Sequence, residues 1–321
     1  MIQVENITKR FGKNIALDGI TLTVNNGEIL GFLGPNGAGK STAMNIITGY
    51  ISTTEGSVKV DGIDILENPQ AVKKKIGYLP ELPPLYMDMT VDEYLLFVSR
   101  IKGVPKSNEM QDINRIMKIV KIVEMRSRLI KNLSKGYKQR VGIAQAMIGN
   151  PEVLILDEPT VGLDPQQIIE IRSLIKDLGK THTIILSSHI LSEVSAVCDR
   201  VVIINKGKIV ASGTPDELSK KLNYSNKILV RIKGPSNKVM NTFKGITNIV
   251  SVKDNGVIEA NTVDIIAEGK KDIDVRELIF NTFSKTDMPI LIMKPMDLTL
   301  EDVFLQVTSE KKEVIKDVSN I

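Results

Sequence analysis

Ile29-Leu30-Gly31-Phe32-Leu33-Gly34-Pro35-Asn36-Gly37-Ala38-Gly39-Lys40-Ser41 is the stretch on which the fold turns. A short apolar run enters a glycine-rich turn of the form G-x-x-x-x-G-K-[ST], and from Ser41 to Thr48 the pattern becomes helical. Phosphates need a backbone that can close around them. Gly34, Gly37 and Gly39 permit unusual dihedrals and keep Cβ atoms out of the way, so successive N–H groups can point inward. The helix starting near Lys40 adds its positive N-terminal end. Lys40 supplies a charge to the β- and γ-phosphates, and Ser41 a hydroxyl ligand to Mg²⁺. The segment is expected to hold a nucleotide triphosphate through Gly34, Pro35, Asn36, Gly37, Ala38, Gly39, Lys40, Ser41 and Thr42.

An acidic partner lies downstream. Asp157 ends the apolar run Val153-Leu154-Ile155-Leu156, at the carboxyl edge of an expected buried strand, where it can hold Mg²⁺. Glu158 follows and is expected on the opposite side by strand alternation. A second carboxylate there can orient or deprotonate an attacking water.

The rest of the chain sets the frame. At 321 residues it suggests about two domains. A hydrophobic fraction of 42%, a charged fraction of 25% and a mean hydropathy of +0.01 are those of a folded chain, not a disordered, collagen-like or disulfide-dense one. No stretch approaches the ~18 consecutive apolar residues of a membrane span. Met1 to Arg10 carries Glu5, Lys9 and Arg10 and lacks the apolar core of a signal peptide, so a cytosolic chain is expected. A net charge of +4 over this length is too weak a field for nucleic acid, and Lys73–Lys75 and Lys220–Lys221 read as solvated helix faces. Cys198, alone, excludes an intrachain disulfide and reads as a small buried hydrophobe. His182, between two threonines and without a partner motif, reads as surface.

Ile2 to Ile7 and Gly19 to Val24 alternate as antiparallel strands should, and Asn25-Asn26-Gly27 is a hairpin turn signal. Helical spacing runs from about Thr90 to Lys131 with a break at Gly103 and Pro105, as in an inserted helical subdomain. Strand Val153–Leu156, helix Gln166–Leu178, strand Thr183–Ser187, helix Leu191–Val197 and strand Arg200–Asn205 then imply a mostly parallel sheet. A boundary is expected near Leu222 to Asn226. Beyond it the order is strand Lys227–Ile232, helix about Asn237–Phe243, two strands within about Ile249–Ala260, helix about Val275–Ser284 and strand Pro289–Met293, the βαββαβ order of a ferredoxin-like module.

Further motifs give the chain a family likeness. Leu133-Ser134-Lys135-Gly136-Tyr137-Lys138-Gln139-Arg140 stands about twenty residues before Asp157 and looks like the ABC signature. Pro159-Thr160-Val161-Gly162-Leu163-Asp164-Pro165 is similar to the D-loop, and His189 in Ile185-Leu186-Ser187-Ser188-His189 matches the switch histidine. Phe11 sits where the family that carries this signature places an aromatic that stacks on adenine. From residue 1 to about 215 the chain thus resembles the ATP-binding subunit of ABC transporters. The resemblance implies an α/β fold: a P-loop NTPase core with a mostly parallel sheet, an antiparallel β subdomain and an inserted helical subdomain at about 90–140, all within residues 1–222. A small C-terminal α+β, ferredoxin-like accessory domain would follow at 227–308, then a charged tail at 309–321. The resemblance further implies ATP and Mg²⁺ as ligands, with Glu158 and His189 as catalytic residues. Ser134 and Gly136 would meet the γ-phosphate of an opposite protomer, with Asp164 in the nucleotide-contacting set, in a homodimer or a pair with a second ABC ATPase.

Two departures qualify it. Lys135 and Tyr137 stand where the usual signature has Gly and Gln, and Ile76-Gly77-Tyr78-Leu79-Pro80 leads to Glu81 where glutamine is commonest. Glu81 can still ligate Mg²⁺ but adds negative charge beside the triphosphate. Both variants resemble exporter-type ATPases related to drug and gliding-motility exporters, as does Leu298-Thr299-Leu300-Glu301-Asp302-Val303-Phe304-Leu305 near the end. The expected role is an ATPase motor on the inner face of the cell membrane, cytoplasmic and peripheral. It would drive a separate transmembrane permease subunit docked near Glu81 to Met89. The rival reading is a soluble ABC ATPase acting on nucleic acid or the ribosome; one cassette and no sustained heptads count against it.

Overall fold

The structure is a computed structural model and describes residues 1–221, 227–270 and 273–295. The expected boundary at 222–226, the Leu298–Leu305 motif and the charged tail lie outside the described residues. The chain divides into two compact units, Met1–Pro215 and one that opens at Asp216. The first contains β1 (Ile2–Phe11), β2 (Asn14–Val24), β3 (Ile29–Leu33), α1 (Lys40–Ile47), β4 (Glu55–Val60), β5 (Ile63–Asp64), α2 (Pro69–Lys75) and β6 (Ile76–Leu79). Helices α3 (Val91–Ile101), α4 (Lys106–Ile119) and α5 (Lys135–Met147) follow. Then come β7 (Val153–Asp157), α6 (Pro165–Gly179), β8 (Thr183–Ser188), α7 (Leu191–Val197), β9 (Arg200–Asn205) and β10 (Lys208–Gly213).

These strands make two sheets. One, ordered β2-β1-β4-β5, is antiparallel. The other, ordered β10-β9-β3-β8-β7-β6, is parallel except at its β10 edge. Every residue of β3, β7 and β8 is buried, because a parallel strand is covered on both faces; this is why they read as unbroken apolar runs. Helix α1 shares one core with both sheets: Met44, Ile46 and Ile47 pack with Ile2, Val4, Phe32 and Ile155.

Asn25-Asn26-Gly27 turns the chain, with Gly27 at φ +75°, but the turn does not close a hairpin. Strand β2 stays in the antiparallel sheet, while β3 pairs with β8 and β9. Two polar contacts draw β3 toward β9: the Ile29 N–H donates to Asp199 at 2.9 Å, and Arg200 Nε donates to Glu28 at 2.7 Å.

The helical block is built from local signals. Thr90 and Glu93 form a reciprocal capping box at the start of α3, and Gly103 in left-handed geometry ends that helix. Lys102 then reaches across to the end of α5, where its ammonium donates to the carbonyls of Gln145, Ala146 and Ile148 at 3.2, 3.0 and 2.9 Å. Burial there pulls its pKa down to about 8. His182 is buried, not on the surface: its Nδ1 lies 2.8 Å from Thr181 Oγ1 and 3.2 Å from the Leu178 carbonyl, and burial lowers its pKa. The hydroxyl and carbonyl beside it supply the partners that make a buried imidazole tolerable. Cys198 is buried as expected, and burial pushes its thiol pKa up.

The second unit comprises α8 (Pro215–Lys221, beginning at the junction), β11 (Lys227–Lys233), α9 (Ser236–Lys244), β12 (Ile249–Asp254), β13 (Thr262–Gly269), α10 (Arg276–Phe283) and β14 (Ile290–Pro295). Its sheet, ordered β12-β13-β11-β14 and antiparallel, has the ferredoxin-like arrangement. Phe243 and Phe283, ring centroids 5.0 Å apart, anchor its core. The third strand lies later than the sequence suggests. Val257 and Ile258, which invite a strand there, are exposed, whereas β13 is central and carries a fully buried Asp264. Arg231, directly opposite on β11, pairs with it through Nε–Oδ1 at 2.7 Å and Nη2–Oδ2 at 2.9 Å and holds its carboxyl below the usual range. A charge matched only across the sheet hid this strand from periodicity.

Gly77 on β6 lets α5 approach. A Cβ there would lie 2.1 Å from the Ala146 carbonyl oxygen, which belongs to helix backbone and cannot turn aside. Gly77→Ala is expected to destabilise the protein by roughly 1–3 kcal/mol through overpacking, read as a lowered denaturant midpoint at unchanged slope.

Candidate functional site

Strands β3, β8 and β7 end level with one another, Leu33 beside Ser188 and Ser187 beside Asp157. Three loops therefore open at one edge of the sheet: the glycine loop after β3, the Asp157–Glu158 turn after β7, and the His189 turn after β8. Open α/β sheets place ligands at this carboxyl edge.

The glycine loop folds as its residues require. Gly37 and Gly39 take φ +79° and +108°, and a Cβ on Gly39 would lie 2.7 Å from both the Ala16 carbonyl and Leu17 Cδ2 of β2. Gly34 has no positive φ; its role is steric, since a Cβ would sit 2.4 Å from the Ile204 carbonyl. Gly39 is the N-cap of α1 and has no side chain to cover the helix end, so the first-turn N–H groups are open to an anion. Lys40 is buried. Its ammonium donates to the Gly34 carbonyl at 2.8 Å and lies 3.5 Å from Glu158 Oε1.

Glu158 does not follow strand alternation. Its φ is +48°, a left-handed conformation rare for a side chain of this size, and this turn is what aims its carboxylate at Lys40. Its other oxygen, Oε2, lies 2.9 Å from His189 Nδ1. Lys40, Glu158 and His189 therefore stand in one connected row, with Glu158 buried and the His189 side chain 40% exposed. Such a row can hold an anionic group at the lysine and take a proton at the carboxylate.

Ser187 is the residue that sequence reading passed over. Its hydroxyl accepts the Glu158 N–H at 2.9 Å and donates to Asp157 Oδ1. The signal was the register Asp157–Ser187, visible only once β7 and β8 are known to be neighbours.

Ser41, Asp157 and Glu81 line one cavity of about 680 Å³, with Asn45, Tyr78 and Gln145. Tyr78 donates its hydroxyl to Asn45 at 3.1 Å, and burial with the Asp157 charge raises its pKa. A hydroxyl and two carboxylates form an all-oxygen donor set of the kind Mg²⁺ takes. Among the described residues no three His, Cys, Asp or Glu side chains form a metal cage, so phosphate oxygens and water would complete such a site.

Phe11, at the end of β1, is 52% exposed, with Lys9 Nζ 5.2 Å from its ring centroid. Ser134 caps α5 by accepting the Tyr137 N–H, and Asp164 caps α6 by accepting the Gln167 N–H. These two loops touch each other: Gly136 packs on the Gln167 side chain and Lys135 on Gly162. Among the described residues no hydrogen bond or ion pair joins Ser134, Gly136 or Asp164 to Lys40, Glu158 or His189. Tyr137 donates its hydroxyl to Glu124 at 3.2 Å, a local use for one signature departure.

The ABC transporter family model matches residues 17–161. The linearmycin resistance ATP-binding protein LnrL of Bacillus subtilis (strain 168) is 33% identical over 310 residues, 96% of this chain and 98% of LnrL. The chain belongs to the ATP-binding proteins of ABC transporters. The bacitracin transport ATP-binding protein BcrA of Bacillus licheniformis is 40% identical over 223 residues, 69% of this chain and 72% of BcrA. A solved ATP-binding subunit of an ABC transporter superposes with a TM-score of 0.63 at 28% identity, over 70% of this chain and 93% of that one. A dimeric ATP-binding cassette in a post-hydrolysis state, bound to ADP and Pi, does so with 0.61 at 26% identity, over 67% and 98%. This ABC subunit binds and hydrolyses ATP. Among its described residues no helix is long and apolar enough to cross a membrane.

Ser187→Ala would leave the buried Glu158 N–H without its acceptor. A stability loss of about 1–3 kcal/mol by denaturant unfolding is expected, together with slowed ATP hydrolysis in a steady-state assay.

Proposed function

We propose that this ABC subunit is the motor of an exporter and that the row Lys40–Glu158–His189 is its hydrolytic centre. That row is the observation carrying the reading. Phe11 offers a flat face to adenine. The loop Gly34–Ser41 and Thr42 cradle the phosphates, and Lys40 exchanges its contacts with Gly34 and Glu158 for phosphate oxygens. Ser41 and Asp157, with Glu81 from the same cavity, would hold Mg²⁺, which when bound neutralises charge on the β- and γ-phosphates. Glu158, released from Lys40, accepts the proton of the attacking water, and His189 holds its carboxylate while meeting the γ-phosphate.

Ser134 and Gly136 lie at the start of α5, and among the described residues no hydrogen bond or ion pair joins them to Lys40 of their own phosphate loop, which supports service to a second copy or a second ABC ATPase across a two-fold interface. Asp164 sits beside them. Two such subunits closing on ATP and opening after hydrolysis would drive the permease. Its dock would be the segment from Glu81 to Met89, where Leu82 and Tyr86 are 83% and 51% exposed. Export as the direction rests on LnrL and BcrA, named for linearmycin resistance and bacitracin transport. The chain would sit on the cytoplasmic face of the membrane, with residues 1–222 as the ATPase domain and 227–308 as an accessory domain. No observation favours a role on nucleic acid.

Glu158→Gln should retain ATP binding while hydrolysis falls by ~10²–10⁴-fold, with a dimer accumulating in size-exclusion chromatography with ATP. Wild-type turnover would remove Glu158 from the chemistry. Glu81→Gln should shift the Mg²⁺ concentration for half-maximal ATPase activity, and an unchanged titration would take Glu81 out of the metal site.

A further inference from the structure

We infer that Glu193 is a positioning residue for ATP hydrolysis, its buried carboxylate tying the chain after Glu158 to the chain before His189. The inference rests on the reading of Glu158 and His189 given above.

Glu193, in the first turn of α7, is 3% exposed. Its Oε2 accepts two hydroxyl hydrogen bonds, from Thr160 at 2.5 Å and from Ser188 at 2.9 Å. Both donors are buried. Thr160 stands two residues after Glu158, and Ser188 immediately before His189, so one carboxylate oxygen fixes the spacing of the two catalytic turns. Hydroxyl bonds to a buried carboxylate are short and strong, as the 2.5 Å contact is.

The left-handed backbone of Glu158 gives the tie its purpose. A non-glycine residue at φ +48° is strained and persists only where its surroundings hold it. Here it is held from both sides. Upstream, its N–H is bonded to Ser187; downstream, Thr160 is bonded to Glu193. If the second hold is released, the Glu158 turn can relax toward an ordinary conformation, which swings the carboxylate off the line from Lys40 to His189. Glu193 also faces Arg172 of α6, whose Nη2 lies 3.8 Å from its Oε1 and sets a cation beside this buried charge. Glu193 thereby joins three pieces of chain: the turn after β7, the turn after β8 and the helix that follows Asp164.

A bond that merely stabilised the fold would change turnover only through the folded fraction. One that positions Glu158 changes kcat without changing nucleotide affinity. Glu193→Ala leaves Arg172 without its partner and can fail to fold, so the informative variants are at Thr160. In the full chain, Thr160→Val should lower kcat about tenfold or more, within the ~10²-fold that a 1 Å misplacement costs, with KM for ATP within about twofold. Affinity for a fluorescent ATP analogue should stay near wild type, the thermal midpoint should fall only by the few degrees that one lost hydrogen bond to a buried carboxylate costs, leaving the protein folded at the assay temperature, and Thr160→Ser, which keeps the hydroxyl, should restore most of the turnover. The inference is overturned by wild-type kcat in Thr160→Val, by equal slowing in Thr160→Ser, or by a kcat loss that is matched by a rise in KM or accounted for by the unfolded fraction at the assay temperature. Glu158→Gln, assayed beside them, separates the two failures. If it is inactive while Thr160→Val is normal, only the role of Glu193 falls; if it is fully active, the hydrolytic centre itself is misassigned.

Discussion

Strands β3, β8 and β7 run parallel and stop at the same height, and the site exists because they do. Parallel strands need crossover connections, and the helices that make them cover both faces of the sheet. The strands can then be wholly apolar along their length and polar only where they end. Lys40, Asp157, Glu158, Ser187, Ser188 and His189 all follow or close such a strand. Strand β8 lies between β3 and β7, so its end supplies the groups that hold the two carboxylates.

Burial at that edge sets the electrostatics. Asp157 and Glu158 are adjacent carboxylates, both nearly sealed from water, and each has a different means of being tolerated there. Asp157 accepts the Ser187 hydroxyl, while Glu158 shares the charge of Lys40 and meets His189. In the proposed cycle a γ-phosphate takes the place of Glu158 at Lys40, and the contact that balances two buried charges is also the one that readies the carboxylate for water.

Much of this was legible along the chain. The glycine loop, the apolar strand ending in Asp157 and the helix starts at Ser134 and Asp164 are local features, set by turn geometry and capping over a few residues. The failures share one cause. Asn25-Asn26-Gly27 is a true turn whose strands part into different sheets; His182 is buried although its hydrogen-bond partners are local, because packing seals the strand entrance; and the strand of Asp264 is hidden because the cation that matches its charge lies on another strand. Glu158 lies just past the end of β7 at a positive φ, so that turn, and not strand alternation, sets the direction of its carboxylate.

The sequence by itself determined that this chain carries an ATP-hydrolysing cassette, since phosphate binding needs particular residues at close spacing and those are written consecutively. It also determined the alternation of strands and helices from Val153 to Asn205 and the βαββαβ order of the second unit. Which carboxylate faces which cation, and which hydroxyls hold them, only the tertiary structure decided. Ser187 meets Glu158, and Glu193 meets Thr160, across about thirty residues of chain. Hydrogen bonds of that span follow from strand order and register, which depend on how whole faces pack and leave no mark at the residues they join.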